Sequence, residues 1–124
     1  MKGTLKVIVA EARNLKDEDL VGKSDPYVKL ILDENNIQTT QTKKNNLNPV
    51  YNEQFSFNVD GQKKLEIKVY DKDTVGDDDL IGEEKIKLSD ISSKKYVDTW
   101  VKLTKGKLGF RSKGEVHLIL EFIN

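Results

Sequence analysis

Residues 65–71 read Leu65-Glu-Ile-Lys-Val-Tyr-Asp71. Leu65, Ile67 and Val69 alternate with Glu66, Lys68 and Tyr70. A period of two sends alternate side chains to opposite faces of a strand, so this segment predicts a strand with one buried face. The same pattern extends outward in both directions. Leu5, Val7 and Val9 show it, as do Val28, Leu30 and Leu32, Phe55 and Phe57, and Val116, Leu118, Leu120 and Phe122. Eight strands are predicted, over about 4–11, 26–33, 37–44, 50–58, 64–71, 80–88, 98–104 and 114–123. Turn chemistry separates them: DENN at 33–36, NNLNP at 45–49 and DGQKK at 60–64. Leu88-Ser-Asp-Ile-Ser predicts one helical turn with Ser89 as its cap. Eight short strands in 124 residues predict an all-β, eight-stranded antiparallel sandwich forming a single domain over residues 1–124.

Bulk composition narrows the function. Lys plus Arg and Asp plus Glu both number 21, so no global field favours nucleic acid. The chain has no cysteine, which excludes disulfides and thiolate metal sites and fits a reducing, cytoplasmic setting. The apolar run near the N-terminus is broken by Lys6 and Glu11, so neither a signal peptide nor a membrane span is expected.

Asp71 opens a second, different pattern. The stretch Asp71-Lys-Asp-Thr-Val-Gly-Asp-Asp-Asp79 holds five aspartates in nine residues. In a sandwich each strand crosses the domain, so successive connections alternate between its ends. Residues 12–25, 45–49, 72–79 and 105–113 therefore share one end. Asp17, Glu18, Asp19 and Asp25 against Lys16 and Lys23 leave −2 there, and the five aspartates against Lys72 leave −4, so −6 gathers at one pole of a neutral chain. Two carboxylates ~4 Å apart repel by about 4 kcal/mol at an effective dielectric of ~20. Converging several of them against a folding stability of ~5–15 kcal/mol calls for a cation. A hard, oxygen-seeking ion such as calcium fits carboxylate ligands. The EF-hand does not account for the stretch. Counted from Asp71, its fifth position is Val75, its twelfth is Gly82, and its flanks are strands.

The segments Ala12-Arg-Asn-Leu15, Gly22-Lys-Ser-Asp-Pro-Tyr-Val28, Leu47-Asn-Pro49 with Asn52-Glu-Gln-Phe55, Val69-Tyr-Asp-Lys-Asp73 and Asp79-Leu-Ile-Gly82 resemble, in order, the C2 domain. This is the calcium-dependent membrane-targeting module, and the likeness runs from about residue 3 to 123. It implies a Greek-key sandwich. The extra strand at the end is similar to the type II connectivity, with both termini away from the calcium pole. It further implies two or three calcium ions held by Asp19, Asp25, Asp71, Asp73 and Asp79, with backbone carbonyls at Glu18 and Lys72. Asp17, Asp77 and Asp78 are extra acids, read as tuning the field. The Asp71/Asp73 spacing also has a physical basis, because residues two apart on a strand end share a face.

By this resemblance the ions bridge to anionic phospholipid headgroups such as phosphatidylserine, while Leu20, Val21 and Val75 dip into the interface. Third-strand positions that match phosphoinositide-binding lysines of the family hold Thr39 and Gln41. The last connection, 104–114, surrounds Leu108 and Phe110 with four cations, which offers Phe110 as an auxiliary membrane contact, with a solvated flexible hairpin as the plainer and preferred reading. Enzyme chemistry has little to use. His117, the only histidine, alternates with core positions as a surface side chain, and no nucleophile–base set or glycine-rich phosphate loop is present. The expectation is a non-enzymatic signalling monomer, recruited peripherally to membranes when calcium rises, with no nucleic-acid partner. A calcium-regulated protein-interaction domain using the same loops stands as the alternative.

Overall fold

A computed structural model describes residues 1–16, 23–73, 75–106 and 112–124. Eight strands and one short helix follow one another as β1 (Lys2–Arg13), β2 (Pro26–Asp33), β3 (Asn36–Thr39), β4 (Val50–Asp60), β5 (Lys64–Asp71), β6 (Asp79–Lys87), α1 (Leu88–Lys94), β7 (Tyr96–Lys102) and β8 (Glu115–Ile123). They form two four-stranded antiparallel sheets, ordered β4-β1-β8-β7 and β3-β2-β5-β6. Leu5, Val7, Val116, Leu118 and Leu120 of the first sheet meet Val28, Leu30, Leu65, Ile67 and Ile81 of the second in one core, all at 0 % exposure. The alternation in the sequence is thus the imprint of two inner faces packed together.

Three local departures have physical causes. The first strand carries a bulge between Val9 and Glu11, where Val9 pairs with Leu118 of β8 but Glu11 pairs with the very next residue, His117. The extra residue switches the buried parity from Leu5, Val7 and Val9 to Ala10 and Ala12. The third strand is four residues long instead of the predicted 37–44. It stops because the Thr40 hydroxyl, not a strand carbonyl, accepts the Val28 N–H at 2.9 Å, and the Gln41 N–H turns away to Glu53 Oε2. The helix is not capped by Ser89: it begins after Lys87 with no side-chain cap, because the Lys63 carbonyl accepts the Leu88 N–H at 2.9 Å.

The second and seventh connections lie at opposite ends, as alternation requires. At one end, connections 14–25, 40–49, 72–78 and 103–114 interlock. Leu15 N–H donates to Leu47 O, Asn46 N–H to Ser24 O, Lys72 N–H to Asp25 O, and Lys16 N–H to Lys113 O. At the other end Gly61 N–H donates to Met1 O, and α1 starts against the turn that leads into β5. Gly82 shows how the two sheets are tied near the first end. A Cβ on it would lie 2.9 Å from Leu103 Cβ and from Lys113 Cβ, and its neighbour Glu83 exchanges backbone hydrogen bonds with Thr104. Only glycine lets β6 approach that closely.

Candidate metal centre

Three strand ends build the site. Pro26 at the start of β2 pairs with Asp71 at the end of β5, and Asp71 pairs with Asp79 at the start of β6. Asp73 follows two residues after Asp71. The carboxylates of Asp71, Asp73 and Asp79 each offer an oxygen, and these oxygens lie within 4.8 Å of one another. Asp71 is 1 % exposed, Asp73 half-buried and Asp79 exposed, so the cluster opens outward from a buried floor. At that separation each ionised pair repels by about 3 kcal/mol at an effective dielectric of ~20, less where water screens Asp79.

The floor is held by backbone donors. Asp25 N–H donates to Asp71 Oδ1 at 2.8 Å, and Asp25 Oδ1 accepts the Asn45 N–H at 2.8 Å. Asn45 adopts φ 51°, a left-handed conformation that asparagine tolerates, and this aims its N–H at Asp25. Asn48 Oδ1 accepts the Asn14 N–H at 2.9 Å. Read in the sequence as turn chemistry and, at Leu47-Asn-Pro49, as part of the C2 resemblance, NNLNP is a bracket that fixes both ends of the first acidic connection. Beneath it, Tyr51 donates its hydroxyl to the Pro26 carbonyl at 2.7 Å, tying β4 of one sheet to β2 of the other.

Asp78 does more than add field. Its Oδ1 accepts the Asp73 N–H at 2.9 Å, its Oδ2 accepts the Tyr27 hydroxyl, and Lys72 Nζ lies 3.7 Å away. The Tyr27 and Asp73 hydrogen bonds, in that order, hold the Asp78 carboxyl below the ordinary range, with Lys72 adding to them. Tyr27 in turn is pushed well above the usual phenol range, first by burial and then by Asp78. It stacks on its cross-strand neighbour Tyr70, ring centroids 5.6 Å apart. The connection 72–78 is therefore closed on itself at Asp73 and clamped to β2 at Tyr27. The spacing of the acids carried no sign of this, because Tyr27 and Asp78 are 51 residues apart.

The predicted ligands thus divide. Asp71, Asp73 and Asp79 converge. Asp25 stands outside that group of three but is joined to Asp71 by its own N–H, and Lys72 N–H donates to the Asp25 carbonyl at 3.0 Å. Glu18 and Asp19 lie outside the described residues, as do Leu20, Val21 and Phe110. Val75 is described and is 88 % exposed at the tip of its connection. His117 is half-buried on the outer face of the first sheet. It contacts Asp98 Oδ1 at 2.6 Å and stacks on Trp100, whose ring also carries the Arg13 guanidinium at 3.7 Å.

An all-oxygen, all-carboxylate donor set on converging strand ends fits a hard divalent cation such as calcium and offers nothing to thiophilic metals. The fold and this pole together define a β-sandwich module with an ion-accepting loop end. The comparisons sharpen that class. The family model for the C2 domain matches residues 3–103. Synaptotagmin-5 of Arabidopsis thaliana is 38 % identical over 128 residues, covering 98 % of this chain and 23 % of that protein. The calcium-bound pair of C2 domains from extended synaptotagmin 2 superposes with a TM-score of 0.84 at 32 % identity, covering 98 % of this chain and 45 % of that one. A single C2 domain of plant extended synaptotagmin 1 gives 0.82 at 29 % identity, covering 97 % and 93 %. The chain belongs to the C2 domain family. It is a C2 domain of the synaptotagmin type, a class of calcium- and phospholipid-binding modules, and spans under a quarter of the length of the curated relatives it matches.

Proposed function

We propose that residues 1–124 form one calcium-switched module that docks on anionic phospholipid membranes through the pole holding Asp71, Asp73 and Asp79. The observation that carries this reading is the gathering of those three carboxylates within 4.8 Å on strand ends locked from behind by Asp25 and Asp78. Asp25, Asp71, Asp73 and Asp79 would supply side-chain ligands, joined by Asp19 and by the carbonyls of Glu18 and Lys72. Bound calcium supplies Lewis-acid positions that phosphate oxygens of a headgroup can share. Two or three ions, and phosphatidylserine as the preferred headgroup, complete the proposal.

The chain's own residues perform the rest. Without metal, the acidic pole repels an anionic bilayer, and the clamp from Tyr27 to Asp78 keeps the connection 72–78 closed rather than letting the carboxylates splay. The exposed Val75 is positioned to enter the interface beside Leu20 and Val21, with Phe110 as a further contact. Among the described residues no helix is long and apolar enough to cross a membrane, which suits reversible, peripheral attachment. No catalytic step is assigned to the module.

Co-sedimentation with phosphatidylcholine–phosphatidylserine vesicles tests this. Pelleting in calcium that disappears in chelator, and with Asp73→Asn, is expected. Identical pelleting in both conditions removes the membrane switch. A calcium-induced rise in melting temperature without any vesicle binding points instead to a calcium-regulated protein-interaction domain.

A further inference from the structure

The outer face of the β5–β6 ladder follows a charge rule with one break. Lys68 pairs with Glu83 and closes to 3.9 Å, and Glu66 pairs with Lys85 and closes to 4.0 Å. The next outward pair in the register is Lys64 with Lys87. Directly opposed like charges destabilise a ladder where opposite charges would support it. The break coincides with a pocket. Met1, Gly61, Gln62, Lys63, Lys64, Lys87 and Ser89 line an open depression of about 430 Å³ with no carboxylate in the lining.

Two flanking acids are already engaged, and Glu34 and Glu66 line an adjoining depression with Lys63 and Lys64 rather than this one. Asp60 lies 3.8 Å from Lys2, and Asp33 accepts from Gln62 Nε2 at 2.8 Å. No ion pair involves Lys63, Lys64 or Lys87 among the described residues. The Lys63 carbonyl accepts the Leu88 N–H, which ties the 61–63 turn to the β6–α1 junction. The volume falls within the range of small-ligand sites. Three exposed lysines, with the exposed Ser89 hydroxyl beside them, border a depression lined mainly by apolar surface, so their ammonium heads are the groups able to reach an anion carrying several acceptor oxygens.

We propose that this pocket is a calcium-independent site for phosphate-ester anions, at the end of the sandwich opposite the carboxylate cluster. The Lys64–Lys87 opposition is then the stability cost of a binding site, as the Asp71–Asp79 opposition is at the other pole. The ligand's phosphates can come from a soluble polyphosphate or from a lipid headgroup. The chemistry is shared, and the experiment separates the sources.

Every arm is run in excess chelator, so its outcome is independent of the calcium reading. Titration calorimetry with inositol hexakisphosphate, and sedimentation with phosphatidylcholine–phosphatidic acid vesicles against a pure phosphatidylcholine blank, are measured on three chains. These are the unaltered protein, a Lys63→Ala/Lys64→Ala/Lys87→Ala variant, and a control with Lys44→Ala/Lys94→Ala/Lys102→Ala. The control loses the same charge at exposed lysines outside the pocket. The pocket variant should weaken binding by about tenfold or more and the control by no more than about twofold. Loss in the calorimetry arm alone assigns a soluble ligand, and loss in both arms or in the vesicle arm alone assigns a headgroup. Equal weakening in the two variants, or no saturable binding below about 1 mM in either arm, overturns the site. Lys87→Glu adds a readout that misfolding could not mimic. Opposing Lys64 with an acid should raise the melting temperature by about 1–4 °C while weakening anion binding, and a fall in melting temperature would contradict the account.

Discussion

Asp79 faces Asp71 across the β5–β6 ladder, and both belong to the group of three carboxylates within 4.8 Å. Asp79→Asn removes one charge from that set at an exposed position, so in chelator it should stabilise the fold by about 0.2–1 kcal/mol. The same substitution should abolish most of the rise in melting temperature that calcium gives the unaltered chain, and paired melts with calcium and with chelator read both effects. At the far pole Asp33 makes a different prediction. Gln62 Nε2, Asn36 Nδ2 and the Asn35 N–H donate to it and hold its carboxyl below the ordinary range. A folded pKa below the unfolded value near 4 contributes stability that is complete above about pH 4 and is lost as pH falls through the folded value. Asp33→Asn should therefore lower the melting temperature at neutral pH, with the gap closing steadily as the pH is taken below about 4. A gap that is constant with pH would contradict the assignment. Composition marked the acid-rich stretch 71–79 and spacing linked Asp71 to Asp73, because residues two apart at a strand end share a face, while Asp79 was singled out among the remaining acids only by the C2 resemblance. The hydrogen-bonding role of Asp78 was not legible, because its anchor, Tyr27, is supplied by a distant strand.

At the scale of elements, the alternation of apolar and polar residues marked seven strands closely and overran one. Residues 37–44 keep a strand-like composition, yet all four β3 side chains are exposed. With no core contact on either face to mark an end, the pattern could not show where the Thr40 hydroxyl replaces the ladder. The β1 bulge was hidden for the opposite reason: Val7-Ile-Val-Ala10 is apolar throughout, so either parity could point inward. Gly82 marks the element-level constraint nearest the site. It admits the 103–104 and 113 backbone against β6, so Gly82→Ala should cost about 1–3 kcal/mol by overpacking, read from urea unfolding. A Cβ at 2.9 Å from Leu103 and Lys113 cannot be relieved by a flexible side-chain tip, so a neutral outcome would mean that β6 is not held to the last connection as described.

The whole molecule is polarised. Acids converge where connections 14–25, 40–49, 72–78 and 103–114 meet, and lysines gather at the opposite end around Gly61–Lys64 and Lys87. Neutral composition hid this, and strand parity revealed only the acidic half, because the basic pocket joins residues from a turn and from a strand–helix junction. The family match ends at residue 103, yet β8 beyond it lies between β1 and β7 and contributes four fully buried or nearly buried core residues, Val116, Leu118, Leu120 and Phe122. That strand returns the chain to the end where it began and leaves the acidic pole bounded by connections alone. A membrane meeting that pole therefore encounters loop tips first, and Val75, 88 % exposed, is the apolar tip the structure describes. Burying a side chain of its size contributes ~1.5–3 kcal/mol, which is roughly a 10- to 100-fold change in affinity. Val75→Asp should weaken calcium-dependent binding to anionic vesicles by about that factor. It should leave the calcium-induced thermal shift in place, because Val75 lies outside the group of three carboxylates. Loss of the thermal shift along with vesicle binding would mean that the substitution disturbs the ion site, and unchanged vesicle affinity would move the point of insertion away from this connection.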